Sequence, residues 1–379
     1  MPPMVIDLRR TEDPRDVVHR AVQALAEGRL VAFPTETDYV VAASGRDADA
    51  VVRLAALAPR HDGEPLLTLA LKSAAEVLDW APRMPDVGRR LARRAWPGPV
   101  ATLVPDDHPD SLVSRLPDAT RAAIVADGRL RVRVPAHPAL VESMRMVAGP
   151  VVLAEPRKPD GSSLATAQDV LDVAGAAVTL VLDDGPVRYG QPASVVALDD
   201  GGWRLVRPGI VTEDSLRRLA SLMVLFVCTG NTCRSPMAEA IFRVEAAVRL
   251  GCKPDEIERH GIVVASAGMA AWGGGPASPH AVAAAAELGG DLSGHESQPV
   301  TEMLVGQADV ILTMTAAHRA SLLAHFPEAG GRVTLLAVDR ADVIDPIGGD
   351  LDTYRACIRQ IHGHVVARMA TLQSSFPGR

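Results

Sequence analysis

Val224-Leu-Phe-Val-Cys228-Thr-Gly-Asn-Thr-Cys-Arg234-Ser-Pro-Met-Ala-Glu239 decides how this chain is read. An apolar run ends at a cysteine, a polar Gly-Asn loop follows, and a helix-forming stretch begins at Arg234. A loop between strand and helix offers successive backbone N–H groups to an anion, and the helix N-terminus adds the positive end of its dipole. The same field favours thiolate over thiol at a cysteine placed there. An arginine at the far end of the loop can hold two phosphate oxygens at once. Ser235 can donate a hydrogen bond to the thiolate and to the later leaving thiol. Cys-x5-Arg alone is a short pattern, and a cysteine ending a core strand is often just a small buried hydrophobe. The strand before it and the helix after it are what favour a nucleophile held against a phosphate.

Outward from this loop, the second half alternates. Strands are expected over 223–227, 261–266, 309–313 and 332–336, and helices over 235–250, 278–289, 299–306, 316–324 and 350–372. Such alternation implies an α/β domain with a doubly wound parallel sheet, the cysteine loop lying at the carboxyl end of its first strand. The first half is strand-rich and mixed. Strands are expected over 30–33, 66–71, 100–104, 130–134, 150–154, 178–182, 194–198 and 203–206; helices over 14–27, 48–57, 73–80, 87–94, 138–147 and 166–172. Val211 to Leu222 reads as a short amphipathic helix, and Met223 opens the new strand with almost no linker. Two domains follow, 1–220 and 222–379.

The full loop string resembles the low-molecular-weight protein tyrosine phosphatases. Ser266-Ala-Gly268, Gly294-His295 and Ala308-Asp309-Val-Ile-Leu-Thr-Met314 follow in that family's order. The resemblance implies Cys228 as nucleophile and Arg234 as phosphate clamp, with Thr229, Gly230, Asn231, Thr232, Cys233 and Ser235 around the phosphate. It also implies Asp345, in Asp345-Pro346-Ile-Gly-Gly349, as general acid. A departing alkoxide, phenolate or amine needs such a proton source, although Asp-Pro by itself is a common turn. Thr232 precedes Cys233 where tyrosine phosphatases usually carry an apolar residue, which resembles the bacterial protein-arginine phosphatase branch. Ile347 departs from the usual aromatic and removes a ring wall from the pocket. The expected substrate is a phosphorylated protein, on tyrosine or arginine, and neither metal nor cofactor is expected. Cys233 is close enough in sequence to trap Cys228 as a disulfide under oxidation, or is simply a packed loop cysteine.

Bulk properties agree with two globular domains: 379 residues, 47% hydrophobic and 22% charged, with aromatics at 3% so that Ala, Val and Leu must fill the cores. Net charge is −7, made of −3 before Met223 (27 Lys+Arg, 30 Asp+Glu) and −4 from it onward (12 and 16). Neither half is a basic nucleic-acid platform. No signal pattern or membrane-length apolar run is present, and the four cysteines form no metal-type Cys-x-x-Cys pair. A reducing, cytoplasmic location is expected.

The first half resembles the YrdC-like threonylcarbamoyl-AMP synthases through Leu30-Val-Ala-Phe-Pro-Thr-Glu-Thr37, Trp96-Pro-Gly-Pro99 with Thr102, Arg131-Val-Arg-Val-Pro-Ala-His-Pro138 and Val206-Arg-Pro-Gly209. That family joins threonine, bicarbonate and ATP for tRNA modification. Several of its residues are replaced here. Ala58-Pro-Arg60 lacks a lysine, Glu155-Pro-Arg157 puts a carboxylate where polyphosphate should lie, Ala193-Ser194 replaces a Ser-Thr pair, and Tyr39-Val40 replaces Tyr-Gly. The domain is therefore expected to be degenerate for ATP chemistry. Thr35, Arg60, Arg133 and Arg207 remain for a smaller or less charged ligand. Two rival readings stay open: a bifunctional enzyme, and a first half that only binds a ligand or docks a partner.

Overall fold

The computed structural model describes residues 2–199 and 202–372, and the chain divides into two compact units after Leu219. No helix among the described residues is long and apolar enough to cross a membrane.

In the second unit the strand Leu222–Cys228 is central. It pairs in parallel with Ile262–Gly268 on one side and Val310–Thr313 on the other, and Val333–Leu335 closes the far edge. All seven of its residues are buried. The pleat explains why the run is apolar throughout. Val224, Phe226 and Cys228 point into a core shared with the helices Arg234–Leu250, Pro279–Ala286 and Leu351–Thr371. Leu225 and Val227 point into a second core with the helices Glu302–Gln307 and Ala316–His325. A strand covered on both faces has no polar side to show. The helix Arg234–Leu250 ends at Gly251, whose φ of +67° supplies the left-handed cap. The expected doubly wound sheet is present.

Among the described residues the first unit holds an eleven-stranded mixed sheet. Its centre pairs Val31–Pro34 with Tyr39–Ser44, then Val151–Ala154, Thr68–Ala70, Arg129–Arg133, Val100–Pro105 and Ser194–Asp199 in spatial order. Several elements differ from expectation, among them the unexpected strand Met4–Asp7 and helix Asp118–Ile124. Tyr39–Ser44 is a strand, because Thr35-Glu-Thr-Asp38 closes a tight hairpin (Thr35 N to Asp38 O, 2.9 Å), and its fully buried run has no alternation to betray it. The expected helix over 73–80 shrinks to Val77–Trp80. The helix before the second unit is Glu213–Ala220, and Leu222 belongs to the next strand, paired with Ile262.

Candidate active site

The loop Thr229–Cys233 hangs between the central strand and the helix Arg234–Leu250. Cys228 is 3% exposed, and two donors meet its sulfur: Asn231 N at 3.2 Å and Ser235 Oγ at 3.0 Å. Asn231 fills one lone pair of the serine oxygen. Its Oδ1 accepts from Gln298 N at 2.8 Å, which turns Nδ2 toward Ser235 Oγ (3.0 Å) and Ser266 Oγ (2.9 Å). Ser235 thus receives one hydrogen bond, and toward a thiolate, which has no proton to give, its own proton goes to the sulfur at 3.0 Å, nearer than Ala267 O at 3.4 Å. Two donors on one sulfur suit negative charge there.

Asn231 takes a left-handed backbone, φ +56°, and its carbonyl is held by His295 Nε2 at 2.7 Å, so His295 carries its proton on Nε2. Asparagine tolerates this conformation better than other side-chain-bearing residues. Gly268 makes room for the loop, since a Cβ there would lie 2.6 Å from Thr229 O and 2.8 Å from Asn231 N.

Arg234 opens the helix and is buried. Its Nη2 lies 2.5 Å from Asp345 Oδ2 and 3.5 Å from Thr229 Oγ1. The Asp345 side chain is 44% exposed, and Oδ1 accepts from Ile347 N at 3.3 Å, an Asx turn that sets the carboxylate over the loop. Arg234 and Asp345, expected as clamp and acid, thereby meet from 111 residues apart beside the loop that follows Cys228.

Several neighbours were not singled out in the sequence. His318 Nε2 lies 2.8 Å from Thr229 Oγ1, and burial, then the Arg234 cation, hold its imidazole below its ordinary value against the pull of Asp345 and Asp342. Tyr354 OH sits 3.2 Å from Cys233 Sγ and accepts from Ser278 Oγ at 3.1 Å. All four cysteines are free thiols, and burial pushes Cys357 up to about 12 despite Arg234 nearby. Thr232 Oγ1 has a 3.6 Å contact to Cys233 Sγ. Trp272, 90% exposed, stands on the segment after Gly268 that is bonded to the loop by Met269 N to Cys228 O and Ala270 N to Thr229 O, both 2.9 Å. Ile347 is also exposed. Among the described residues no His, Cys, Asp and Glu group is placed to hold a metal.

The first unit's candidate ligand residues fare differently. Arg133 is fully buried, with Nη2 donating to Glu36 Oε1 at 2.8 Å and Thr37 Oγ1 at 3.0 Å. Glu155 is ringed by four guanidiniums: Arg131 at 2.9 Å, Arg157 at 3.4 Å, Arg207 at 3.7 Å and Arg133 at 3.9 Å. Burial opposes its charge, but these cations outweigh burial and hold it down to about 2. Arg131 and Arg207 also face Glu64 at 3.9 and 3.8 Å, and Arg157 faces Asp38 at 3.5 Å. Arg207 Nη1 meets His61 Nε2 at 2.7 Å. Thr35 Oγ1 is engaged with Thr37 Oγ1 at 3.0 Å and Asp38 O at 2.7 Å. Thr35, Arg133 and Arg207 therefore belong to one buried network, whereas Arg60 stands exposed outside it. Four arginines meet four carboxylates, so the cluster is close to neutral.

Comparison with known proteins matches both units. Residues 223–376 match the family model described as low molecular weight phosphotyrosine protein phosphatase. Residues 23–209 match the Sua5/YciO/YrdC model, described as telomere recombination. The chain is 41% identical over 136 residues to the protein-arginine-phosphatase of Bacillus subtilis, covering 35% of this chain and 84% of that protein. It is 35% identical over 145 residues to a probable low molecular weight protein-tyrosine-phosphatase, EpsP, of Ralstonia nicotianae, covering 38% and 91%. The first unit is 30% identical over 196 residues to a putative threonylcarbamoyl-AMP synthase of Mycobacterium tuberculosis, covering 52% and 85%.

Proposed function

We propose, for a chain that belongs to the low-molecular-weight phosphotyrosine protein phosphatases through residues 223–376 and to the Sua5/YciO/YrdC family through residues 23–209, a division of labour in which only the second unit does chemistry. Cys228 attacks phosphorus as a thiolate while Arg234 and the loop amides hold the equatorial oxygens. The bond from phosphorus to the leaving oxygen or nitrogen breaks as Asp345 gives up its proton. Water then attacks the phosphocysteine, Asp345 takes a proton from it, and Ser235 steadies the departing sulfur. The observation that carries this reading is the convergence of Ser235 and Asn231 on the Cys228 sulfur, with Asp345 at 2.5 Å from Arg234. The test is p-nitrophenyl phosphate turnover in EDTA. Wild type should be active and Cys228→Ser inactive; loss of wild-type activity on chelation refutes the mechanism.

The preferred substrate is phosphoarginine. The support is Thr232, whose hydroxyl has a long contact to Cys233 and can turn to a guanidinium or a water. Thr232→Ile should move kcat/KM toward phosphotyrosine peptides. No change in that ratio refutes the assignment.

The first unit does not adenylate. Its arginines are matched by Glu36, Asp38, Glu64 and Glu155, so a triphosphate would meet a site with no net positive charge and a carboxylate at its centre. A smaller ligand remains compatible, since Arg207 Nε and Nη2 and Arg131 Nε are buried without hydrogen-bond partners. Pyrophosphate release by the full chain with ATP, bicarbonate and threonine would overturn this reading and establish a bifunctional enzyme.

A further inference from the structure

The carboxyl rim of the phosphatase sheet carries a second cationic site. The edge strand Val333–Leu335 is separated from Leu222–Cys228 by a single strand. Its carboxyl end therefore lies roughly 10 Å from the cysteine loop at the usual strand spacing. A cavity of about 520 Å³ opens there, lined by Arg319, Arg340 and Arg368 with Thr334, Leu335 and Val338. Among the described residues, three cations and no carboxylate line it, in a half of the chain that is net negative, 12 Lys+Arg against 16 Asp+Glu.

The guanidiniums are placed but not neutralised. Arg368 donates from Nε to Leu336 O at 3.0 Å and from Nη2 to Leu335 O at 2.5 Å, and Arg319 donates from Nε to Val333 O at 3.4 Å. Carbonyls orient a guanidinium without cancelling its charge. Arg340 is exposed, in the segment that leads to Asp345, on a left-handed backbone of φ +65°. The helix Ala316–His325 begins at the same cavity, but Asp342 Oδ1 takes its Ala316 amide at 2.7 Å. The attraction for an anion thus comes from the arginines.

We propose that this cavity is a second oxyanion site, which takes a carboxylate or phosphate that the substrate protein carries near its scissile phosphate. Planar guanidinium forks match both groups. The cavity is far larger than one bare ion, and Leu335 and Val338 give it an apolar wall that suits a peptide. A gap of roughly 10 Å is about three residues of extended chain, so the acidic residue sits about three positions from the phosphorylated one. This inference rests on the phosphatase reading.

The test uses phosphoarginine peptides identical except for Ala, Glu or phosphoserine three positions to either side, with p-nitrophenyl phosphate as a substrate too small to reach the cavity. Wild type should turn over the Glu and phosphoserine peptides with kcat/KM about fivefold or more above the Ala peptide, an advantage that shrinks with salt. Arg340→Asn, which keeps the left-handed backbone accessible, and Arg319→Gln should each remove most of that advantage and leave p-nitrophenyl phosphate and the Ala peptide unchanged. Equal wild-type rates on all three peptides, or variants that slow every substrate alike, would overturn it. Binding of the same peptides to Cys228→Ser, followed by fluorescence anisotropy, needs no turnover. Tighter binding of the acidic peptides there, lost in Arg340→Asn, would sustain the cavity even if the phosphatase reading failed; equal binding would refute it.

Discussion

Asn231→Ala tests the logic of the active loop most directly. Asn231 is completely buried, donates to Ser235 and Ser266, accepts from Gln298 N, and holds φ at +56°. Alanine loses all three bonds, each worth about 0.5–1.5 kcal/mol net, and strands the Gln298 amide at a further cost of about 1–3 kcal/mol. The left-handed backbone adds about 1 kcal/mol for a residue with a Cβ and no local polar partner. The unit should lose about 3.5–8.5 kcal/mol in all. Asn231→Gly loses the same bonds but not the conformation, so it should be more stable than Asn231→Ala by about 1 kcal/mol. Catalysis should fall in both variants alike. Without the amide, Ser235 Oγ loses the bond that holds it beside the sulfur and is free to turn its proton to Ala267 O. Loss of a charge-assisted hydrogen bond worth about 1.5–3 kcal/mol corresponds to roughly 10- to 100-fold in kcat. Hydrogen exchange at the amides of Leu222–Cys228 reads the stability, and p-nitrophenyl phosphate turnover reads the rate. A full kcat in Asn231→Ala, or a glycine variant no more stable than the alanine one, would refute the reasoning.

Two further outcomes follow from charge. Asp345→Ala should slow phenyl phosphate roughly 100-fold while sparing p-nitrophenyl phosphate, whose leaving group needs little protonation; it should also tighten inhibition by inorganic phosphate, because Arg234 no longer holds a carboxylate at 2.5 Å. Equal slowing of both esters would remove Asp345 from the acid role. In the first unit, burial and then Glu155 raise Asp38 from 3.8 to about 6. The folded state then binds more protons than the unfolded one across that interval, so this group's contribution is present at low pH and lost as pH rises from about 4 through 6. Asp38→Asn should therefore stabilise the unit at pH 7 and not at pH 4, as read by thermal unfolding at both values; a gain that is the same at both would show that Asp38 ionises freely.

How far these sites could be read without coordinates depended on how local they are. Cys228, Arg234 and Ser235 were legible because strand, loop and helix lie within sixteen residues of contiguous sequence, and their periodicity announces each element. Asp345 needed the family resemblance, since Asp-Pro looks like any turn. The network behind the loop was not legible as a network: Ser266 and His295 fall in strings the family resemblance picks out, but Gln298 and His318 do not, and none of their partners shows. Ser266, Gln298, His295 and His318 reach it from 35 to 89 residues away, and only the parallel registers bring their segments to one rim.

The arginines show the same limit more sharply. Composition distinguishes neither Arg131, Arg133, Arg157 and Arg207 from Arg319, Arg340 and Arg368, nor the halves that hold them, which differ by one unit of net charge. The strand pairing of Arg129–Arg133 beside Val100–Pro105 and Thr68–Ala70 buries Arg131 and Arg133 where Glu64 and Glu155 can meet them, and Arg157 and Arg207 reach the same carboxylates from other segments. Once matched, those cations serve the fold: removing Glu155 alone would leave buried charge uncompensated, at about 3–5 kcal/mol. The second group lines a cavity where, among the described residues, the one carboxylate at its edge, Asp342, is held by the Ala316 amide and pairs with none of the three. Arginine there does not lower the energy of the folded chain by pairing within it, so its charges stay available to an anion from outside. By this argument, partner charge rather than arginine count separates the first unit's closed cluster from the second unit's open one.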